Sequence, residues 1–219
     1  MNTKNIASGV NGVNTGWEDG RVPVKERYHH GDLRAALVRA GVAAAREGGE
    51  QAVGLNRLAA GVGVSASAAY RHFPGGLPDL LVSVGDVARR ELAERIALRT
   101  GEVEPADDPG QTASRRFRAS GQAYVEYVLE EPGLFQVACR HDEGRAGDAD
   151  PYALLARCVD DLVATGLLPE GRRADAPAAA WAAVHGLALL LVEGPLRRLP
   201  PARRDAVVQR TLDVVQRGL

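Results

Sequence analysis

Apolar residues recur at helical spacing along most of this chain, in segments that Gly or Pro brings to an end. In the first segment Leu33, Leu37, Ala40 and Ala44 fall on one helix face, and Gly48-Gly49 ends it. The same reading predicts helices at about 32–48, 55–62, 66–72, 78–98, 112–130, 134–139, 152–164, 177–193 and 201–217. No segment alternates cleanly as a strand does. With 36 Ala and 25 Arg, both strong helix formers, the sequence predicts an all-α fold of about nine helices.

Composition narrows the class of protein. The chain is 45% hydrophobic and 25% charged, an ordinary globular mixture. Two cysteines cannot build a disulfide scaffold, and without a visible signal peptide we expect a cytoplasmic location. The uncharged run 176–192 is interpreted as a buried interface helix rather than a membrane span, because it contains Pro177, His185 and Gly186 among many alanines.

Catalytic and metal-binding motifs are not evident. We find no nucleophile elbow, phosphate loop or zinc-type cysteine pair, so we expect neither an enzyme nor a cofactor. Cys139 and His141 are two residues apart, which is poor spacing for a metal pair on a helix. Neighbouring acids such as Asp107-Asp108 are interpreted as solvated surface groups.

Charge is distributed unevenly. Residues 21–72 carry a net charge of +4 and the remainder −5, which favours an anionic partner for the front of the chain. We predict a disordered tail and basic arm at 1–24, a DNA-binding domain at 25–76, and an effector-binding and dimerisation domain at 77–219.

Residues 58–72 have the pattern of a helix-turn-helix. Ala59 is small enough for two helices to cross closely, Gly63 permits the turn, and Val64 fills the corner. Ser65 is placed to cap the next helix, whose N-terminus can enter a major groove. A three-helix packing motif without a nucleic-acid role is the other interpretation of this pattern.

Several motifs resemble the TetR/AcrR family of bacterial transcriptional regulators. They are Tyr28–Arg34 (YHHGDLR), Gly63–Ser65 (GVS) and Ala69–Phe73 (AYRHF). Glu131–Phe135 (EPGLF) and Trp181 with His185-Gly186 resemble the ligand-binding half of the subgroup named for its Trp, His and Gly. The resemblance implies a homodimer that binds a palindromic double-stranded DNA operator and is released by a small molecule.

The basic segment and the helix-turn-helix together give the candidate DNA-contacting residues, which offer cations, hydroxyls and imidazole to phosphates and base edges. They are Lys25, Arg27, Tyr28, Arg57, Ser65, Ser67, Tyr70, Arg71 and His72. Two departures from the family pattern remove usual phosphate contacts, so affinity for DNA is lower unless the basic arm at Arg21, Lys25 and Arg27 compensates. Gly54 stands where a Ser or Thr usually caps the second helix, and residues 74–78 (PGGLP) lack the Lys that often follows the His-Phe pair.

The effector half contains aromatic and polar residues at helical spacing that are candidates to line a ligand cavity. They are Phe117, Tyr124, Tyr127, Phe135, Cys139, Trp181 and His185. Each is also consistent with ordinary core packing. The last two long helices supply a candidate dimer interface: Val184, Leu187, Leu191, Val207, Val208, Leu212 and Val215.

Two hypotheses follow. The first is a ligand-responsive, dimeric transcriptional repressor. The second is a helical ligand- or protein-binding module that ignores duplex DNA, with its cationic segment docking an acidic protein.

Overall fold

The computed structural model describes residues 30–141 and 150–218, and within them every regular element is helical. The tail and basic arm predicted at 1–24 lie outside the described residues. The α-helices of the described part are α1 (His30–Gly48), α2 (Leu55–Gly61), α3 (Ala66–His72), α4 (Leu77–Gly101), α5 (Pro109–Glu130), α6 (Pro132–Arg140), α7 (Pro151–Ala164), α8 (Ala176–Val192) and α9 (Pro201–Gly218). The predicted all-α fold is therefore confirmed.

Helix ends follow local capping chemistry. Helix α5 begins three residues before its predicted start, because the Asp108 carboxylate accepts a hydrogen bond from Gly110 N at 2.9 Å and Pro109 suits a first turn. Pro132 ends α5 as predicted and also opens α6. A proline lacks the N–H that a preceding helix needs, but a first helical turn does not use that N–H.

We call α1–α3 the head and α5–α9 the body, with α4 connecting them. The core of the head is built around fully buried Leu37, Phe73 and Val84, and it also takes in Leu134 and Val137 of α6. One helix of the body thus contributes to the core of the head. The domain boundary placed at residue 76 in the sequence stays a prediction.

The body is organised around α5, which packs against α4, α7, α8 and α9. Val125 and Val128 of α5 are fully buried, and Leu92 and Ile96 extend α4 into the same core. Helix α4 therefore has its first half in the head core and its second half in the body core.

Helices α1 and α6 cross at very close range. A Cβ at Gly133 would collide with the carbonyl oxygen of Ala45, so only glycine allows this approach. Around the crossing, Arg46 binds Glu91 at 2.8 Å and Glu131 at 3.1 Å, and Arg140 binds Glu50 at 3.3 Å. Head and body are joined by apolar packing with ion pairs at its rim.

Helix α8 is the most apolar of the described helices, and one of its sides packs into the body. Its buried side, which includes Ala180, Val184 and Leu187, lies in the body, while Ala178, Ala182 and Leu190 are exposed. Among residues 30–141 and 150–218, none of the helices combines the length and apolar content needed to cross a membrane.

Candidate nucleic-acid interface and ligand cavity

Helices α2 and α3 form a helix-turn-helix in the head. Ala59 is 1% exposed, Gly63 adopts a φ of 78°, and Val64 N donates to Ala59 O at 2.9 Å to close the turn. Ser65 caps α3, because its hydroxyl accepts from Ala68 N at 3.2 Å. These residues take the roles that the pattern predicts for them.

Helix α3 separates a core face from an exposed face. Ala69 is buried in the head core just before Tyr70, which is 46% exposed beside exposed Arg71. Ser67 is also exposed, and its hydroxyl lies 3.0 Å from that of Ser65. The helix thus presents hydroxyls, a phenol and a guanidinium outward, as a groove-binding helix requires.

The remaining DNA-contact candidates are placed less uniformly. Lys25, Arg27 and Tyr28 lie outside the described residues. Arg57 is exposed at the start of α2, where its Nη2 donates to Ala52 O at 2.5 Å. His72 is half-buried at the end of α3.

The turn between α3 and α4 is built around an acidic residue that the sequence analysis did not single out. Gly75 N donates to the Asp79 carboxylate at 2.6 Å, and Gly76 has a φ of 74°. Tyr70 Cε1 lies 3.3 Å from the position of a Cβ on Gly76. A carboxylate therefore lies beside the turn that often carries a Lys. The sequence did contain an indication of this role, because Asp79 falls in the first turn of the helix predicted at 78–98, where acidic residues are favoured.

A cavity of about 360 Å³ opens between α4, α5, α6, α7 and α8. Its lining includes Tyr124, Phe135, Cys139, Trp181 and His185, all predicted, together with Arg89, Leu92, Ala138, Asp150, Pro151 and Tyr152. A smaller void of about 30 Å³ shares the walls formed by Tyr124, Trp181 and His185 and is also lined by Phe117. Six of the seven predicted pocket residues therefore line one or both spaces.

The rings of this cavity contact one another. Tyr124 packs edge-on against Trp181 at a centroid distance of 5.1 Å, and Trp181 lies nearly parallel to His185 at 5.8 Å. Phe135 and Tyr152 extend the group through edge-on contacts with His185 and Trp181. Side chains from four helices, α5, α6, α7 and α8, thus form one aromatic wall.

A polar pair lies within this aromatic wall. The Tyr124 hydroxyl is 2.7 Å from His185 Nδ1. Burial raises the pKa of Tyr124 far above its ordinary value, and the nearby Cys139 adds to this. Burial lowers the pKa of His185. Both groups are therefore neutral at pH 7, because a buried site disfavours their charged forms.

Tyr127, also predicted for the cavity, lines neither space. Its hydroxyl donates to Ala88 O at 3.1 Å and lies 3.4 Å from a Glu91 carboxylate oxygen. Tyr127 follows Tyr124 by three residues, but the rotation between them directs its ring toward α4. Tyr127 therefore does not line the cavity. Arg89 and Tyr152 do line it, but the sequence pattern did not indicate them because their neighbours in the cavity come from distant parts of the chain.

The residues predicted for the dimer interface are largely covered within the single chain. Val184, Leu187, Leu191, Val208 and Leu212 are each at most 8% exposed within the single chain, and Val207 and Val215 are half-buried. The apolar stripes of α8 and α9 pack against each other and α5. Large apolar side chains exposed on these helices are Leu190 at 44% and Val214 at 61%.

Taken together, the described residues combine an exposed helix-turn-helix in the head with an aromatic cavity in a helical body. Residues 117–215 match the family described as tetracyclin repressor-like, C-terminal domain. No curated protein matches the chain.

Solved structures resemble the whole described fold. A protein with unknown function from Rhodococcus sp. RHA1 is 28% identical, with a TM-score of 0.70 over 89% of this chain and 99% of that chain. The TetR family transcriptional regulator PfmR from Thermus thermophilus is 19% identical, with a TM-score of 0.54 over 84% and 98%. At that identity the likeness to PfmR shows the fold.

These findings confirm the resemblance read from the sequence: residues 117–215 are tetracyclin repressor-like, and the described fold is similar to that of a TetR family transcriptional regulator. Its closer assignment to the Trp-His-Gly subgroup stays a prediction.

Proposed function

We propose that this protein is a dimeric transcriptional repressor that binds a palindromic DNA operator through α3 and releases it when a small molecule fills the cavity in the body. The observation that carries the proposal is the exposure of Tyr70 and Arg71 on α3, a capped helix whose opposite side is buried in the head core. The exposed side of such a helix offers these side chains to a major groove, while its first turn, after the Ser65 cap, offers N–H groups to phosphate.

The test is a titration of the full chain with the duplex upstream of its own gene at several salt concentrations. Phosphate contacts release counterions, so we expect log affinity to fall linearly with log salt. Arg71→Gln is expected to reduce that slope by about 1. Affinity that does not change with salt, or no binding above that of an unrelated duplex, contradicts the proposal.

Dimerisation is proposed through the exposed sides of α8 and α9. Leu190 and Ala182 of α8 are exposed, and a Cβ on Gly186 would meet nothing within 4 Å, so a partner helix can approach closely there. Leu190→Arg is expected to weaken self-association by at least about tenfold, measured by sedimentation, because a charge at an interface centre is costly. Leu98→Arg on α4, where the leucine is 59% exposed, is the control and should leave association unchanged.

The second hypothesis, a helical binding module that ignores duplex DNA, is favoured by one observation. The Asp79 carboxylate lies beside the turn that often carries a phosphate-binding Lys. The same salt titration separates the two hypotheses. Failure to bind any duplex, with retained ligand binding, would support the module.

A further inference from the structure

The chemistry of the cavity narrows the class of compound that it can accept. Five ring-bearing side chains line it, and its volume of about 360 Å³ lies at the lower end of the roughly 300–1,000 Å³ typical of ligand pockets. Aromatic rings prefer offset-stacked or edge-to-face partners. A small, flat aromatic compound therefore gains the most contact from this wall.

The Tyr124–His185 pair supplies a directional group. The Tyr124 side chain is 4% exposed, so its hydroxyl proton depends on His185 Nδ1, 2.7 Å away, for an acceptor. A neutral imidazole carries its proton on the nitrogen opposite the one that accepts. That proton is then on Nε2, for which the described residues provide no hydrogen-bond partner. His185 thus offers one donor to a molecule in the cavity.

The formal charges that line the cavity already have partners. Arg89 Nη2 binds Asp86 at 2.6 Å and Nη1 donates to Ala138 O at 2.9 Å. The Asp150 carboxylate accepts from Tyr152 N at 2.9 Å. Arg89 and Asp150 together give the lining no net formal charge. A charged ligand would therefore be buried without a new partner of opposite charge, which is costly.

We propose that the cavity binds an uncharged, flat aromatic compound bearing one hydrogen-bond acceptor, which His185 Nε2–H contacts. This specifies the effector of the regulator proposed above and rests on that function. The acceptor gives the site its selectivity, since a buried donor left without a partner is destabilising.

Calorimetric titration of the full chain with four probes tests the proposal. The probes are 2-acetylnaphthalene, its near-isostere 2-isopropenylnaphthalene, 2-naphthoate and 2-naphthyltrimethylammonium. We expect the ketone to bind at least about fivefold more tightly than the isostere, which lacks only the acceptor. Both charged probes should bind more weakly than the ketone.

Variants assign the preference to the pair. His185→Phe keeps a ring but removes the donor, so it should bind ketone and isostere equally. His185→Gln keeps an N–H donor and should restore part of the preference. Tyr124→Phe frees the imidazole tautomers and should reduce the preference, whereas Tyr127→Phe, a matched change on the same helix outside the cavity, should leave it unchanged.

The outcomes separate this proposal from the regulatory one. Equal binding of ketone and isostere, tighter binding of a charged probe, no binding of any probe, or an unchanged preference in His185→Phe would overturn the ligand class. If the probes bind as expected but the duplex does not bind, the ligand class stands and the repressor function falls. If the duplex binds but the protein does not prefer the ketone over the isostere, the repressor function stands and the ligand class falls.

Discussion

In the head, Tyr70 and Arg71 are exposed at the surface of α3, whereas in the body Tyr124 is 4% exposed and has a histidine as its hydrogen-bond partner. A site for a large, charged polymer must present its groups outward. A site for a small molecule must enclose it. The first kind needs one short segment with a solvent-facing side, and the second needs several helices to converge. The two regions therefore respond differently to substitution.

The largest expected effect comes from comparing a buried with an exposed aromatic residue within the head. Phe73→Ala removes a fully buried ring, and we expect a loss of about 3–5 kcal/mol in unfolding free energy. Tyr70→Ala, three residues earlier, should change stability by less than about 0.5 kcal/mol and weaken duplex binding. Thermal denaturation and a duplex titration measure both. If Tyr70→Ala instead unfolds the head, Tyr70 is a core residue and the DNA-binding assignment fails.

The next prediction tests how separate the two regions are. Gly133→Ala places a Cβ against the Ala45 carbonyl and must push α6 away from α1. We expect a loss of about 2–3 kcal/mol, because backbone cannot yield as a side chain can. Gly101→Ala is the control, since nothing lies within 4 Å of a Cβ there. Equal stability of the two variants in denaturant unfolding would show that head and body do not share a tight core.

A smaller effect concerns the pH dependence of stability where the head meets α6 of the body. Burial alone would raise the pKa of Glu50, but its bonds to His141 and Arg140 outweigh burial and lower that pKa. The resulting stabilisation is present above the unfolded pKa of Glu50 and is lost as pH falls through the lowered value. Glu50→Gln should lose about 1 kcal/mol or less at pH 6 and show a weaker loss of stability in acid. If Glu50→Gln loses as much stability in acid as the unsubstituted protein does, Glu50 makes no such contribution.

The smallest expected effect concerns the charge beside α3. Asp79→Asn keeps an oxygen to accept from Gly75 N but removes a negative charge near the proposed phosphate contacts. We expect duplex affinity to rise about twofold at low salt and less at high salt, because exposed charges are screened. Glu102→Gln, at the far end of α4, should leave affinity unchanged. A fall in affinity for Asp79→Asn would mean that the carboxylate positions α3 rather than repelling DNA.

Most of the head could be predicted from sequence because its features are local. The order Ala59, Gly63, Val64, Ser65 specifies a crossing, a turn and a cap within seven residues, and the structure places each in that role. Helix positions in the body were equally readable from periodicity. Six of the seven residues predicted for a ligand cavity line one or both spaces in the body, because large side chains at helical spacing face inward; their role in ligand binding stays a prediction.

What periodicity could not provide was the partner of each inward-facing side chain. Tyr124 and Tyr127 look alike in sequence, but one contacts His185 and the other Ala88 and Glu91. The apolar stripes of α8 and α9 predict burial without saying whether the covering surface is in the same chain or in a second copy. In this structure the covering surface lies largely within the chain, and this is why the proposed dimer interface is placed on the opposite, exposed sides.

The sequence alone determined the all-α class, the helix limits to within a few residues and the exposed character of α3, since these depend on hydrogen bonds and side-chain alternation within one or two turns. The tertiary structure decided which helices meet, and so the aromatic cavity, the neutral Tyr124–His185 pair and the shared core of head and body. Those features depend on contacts between residues far apart in the chain, which helix periodicity does not record.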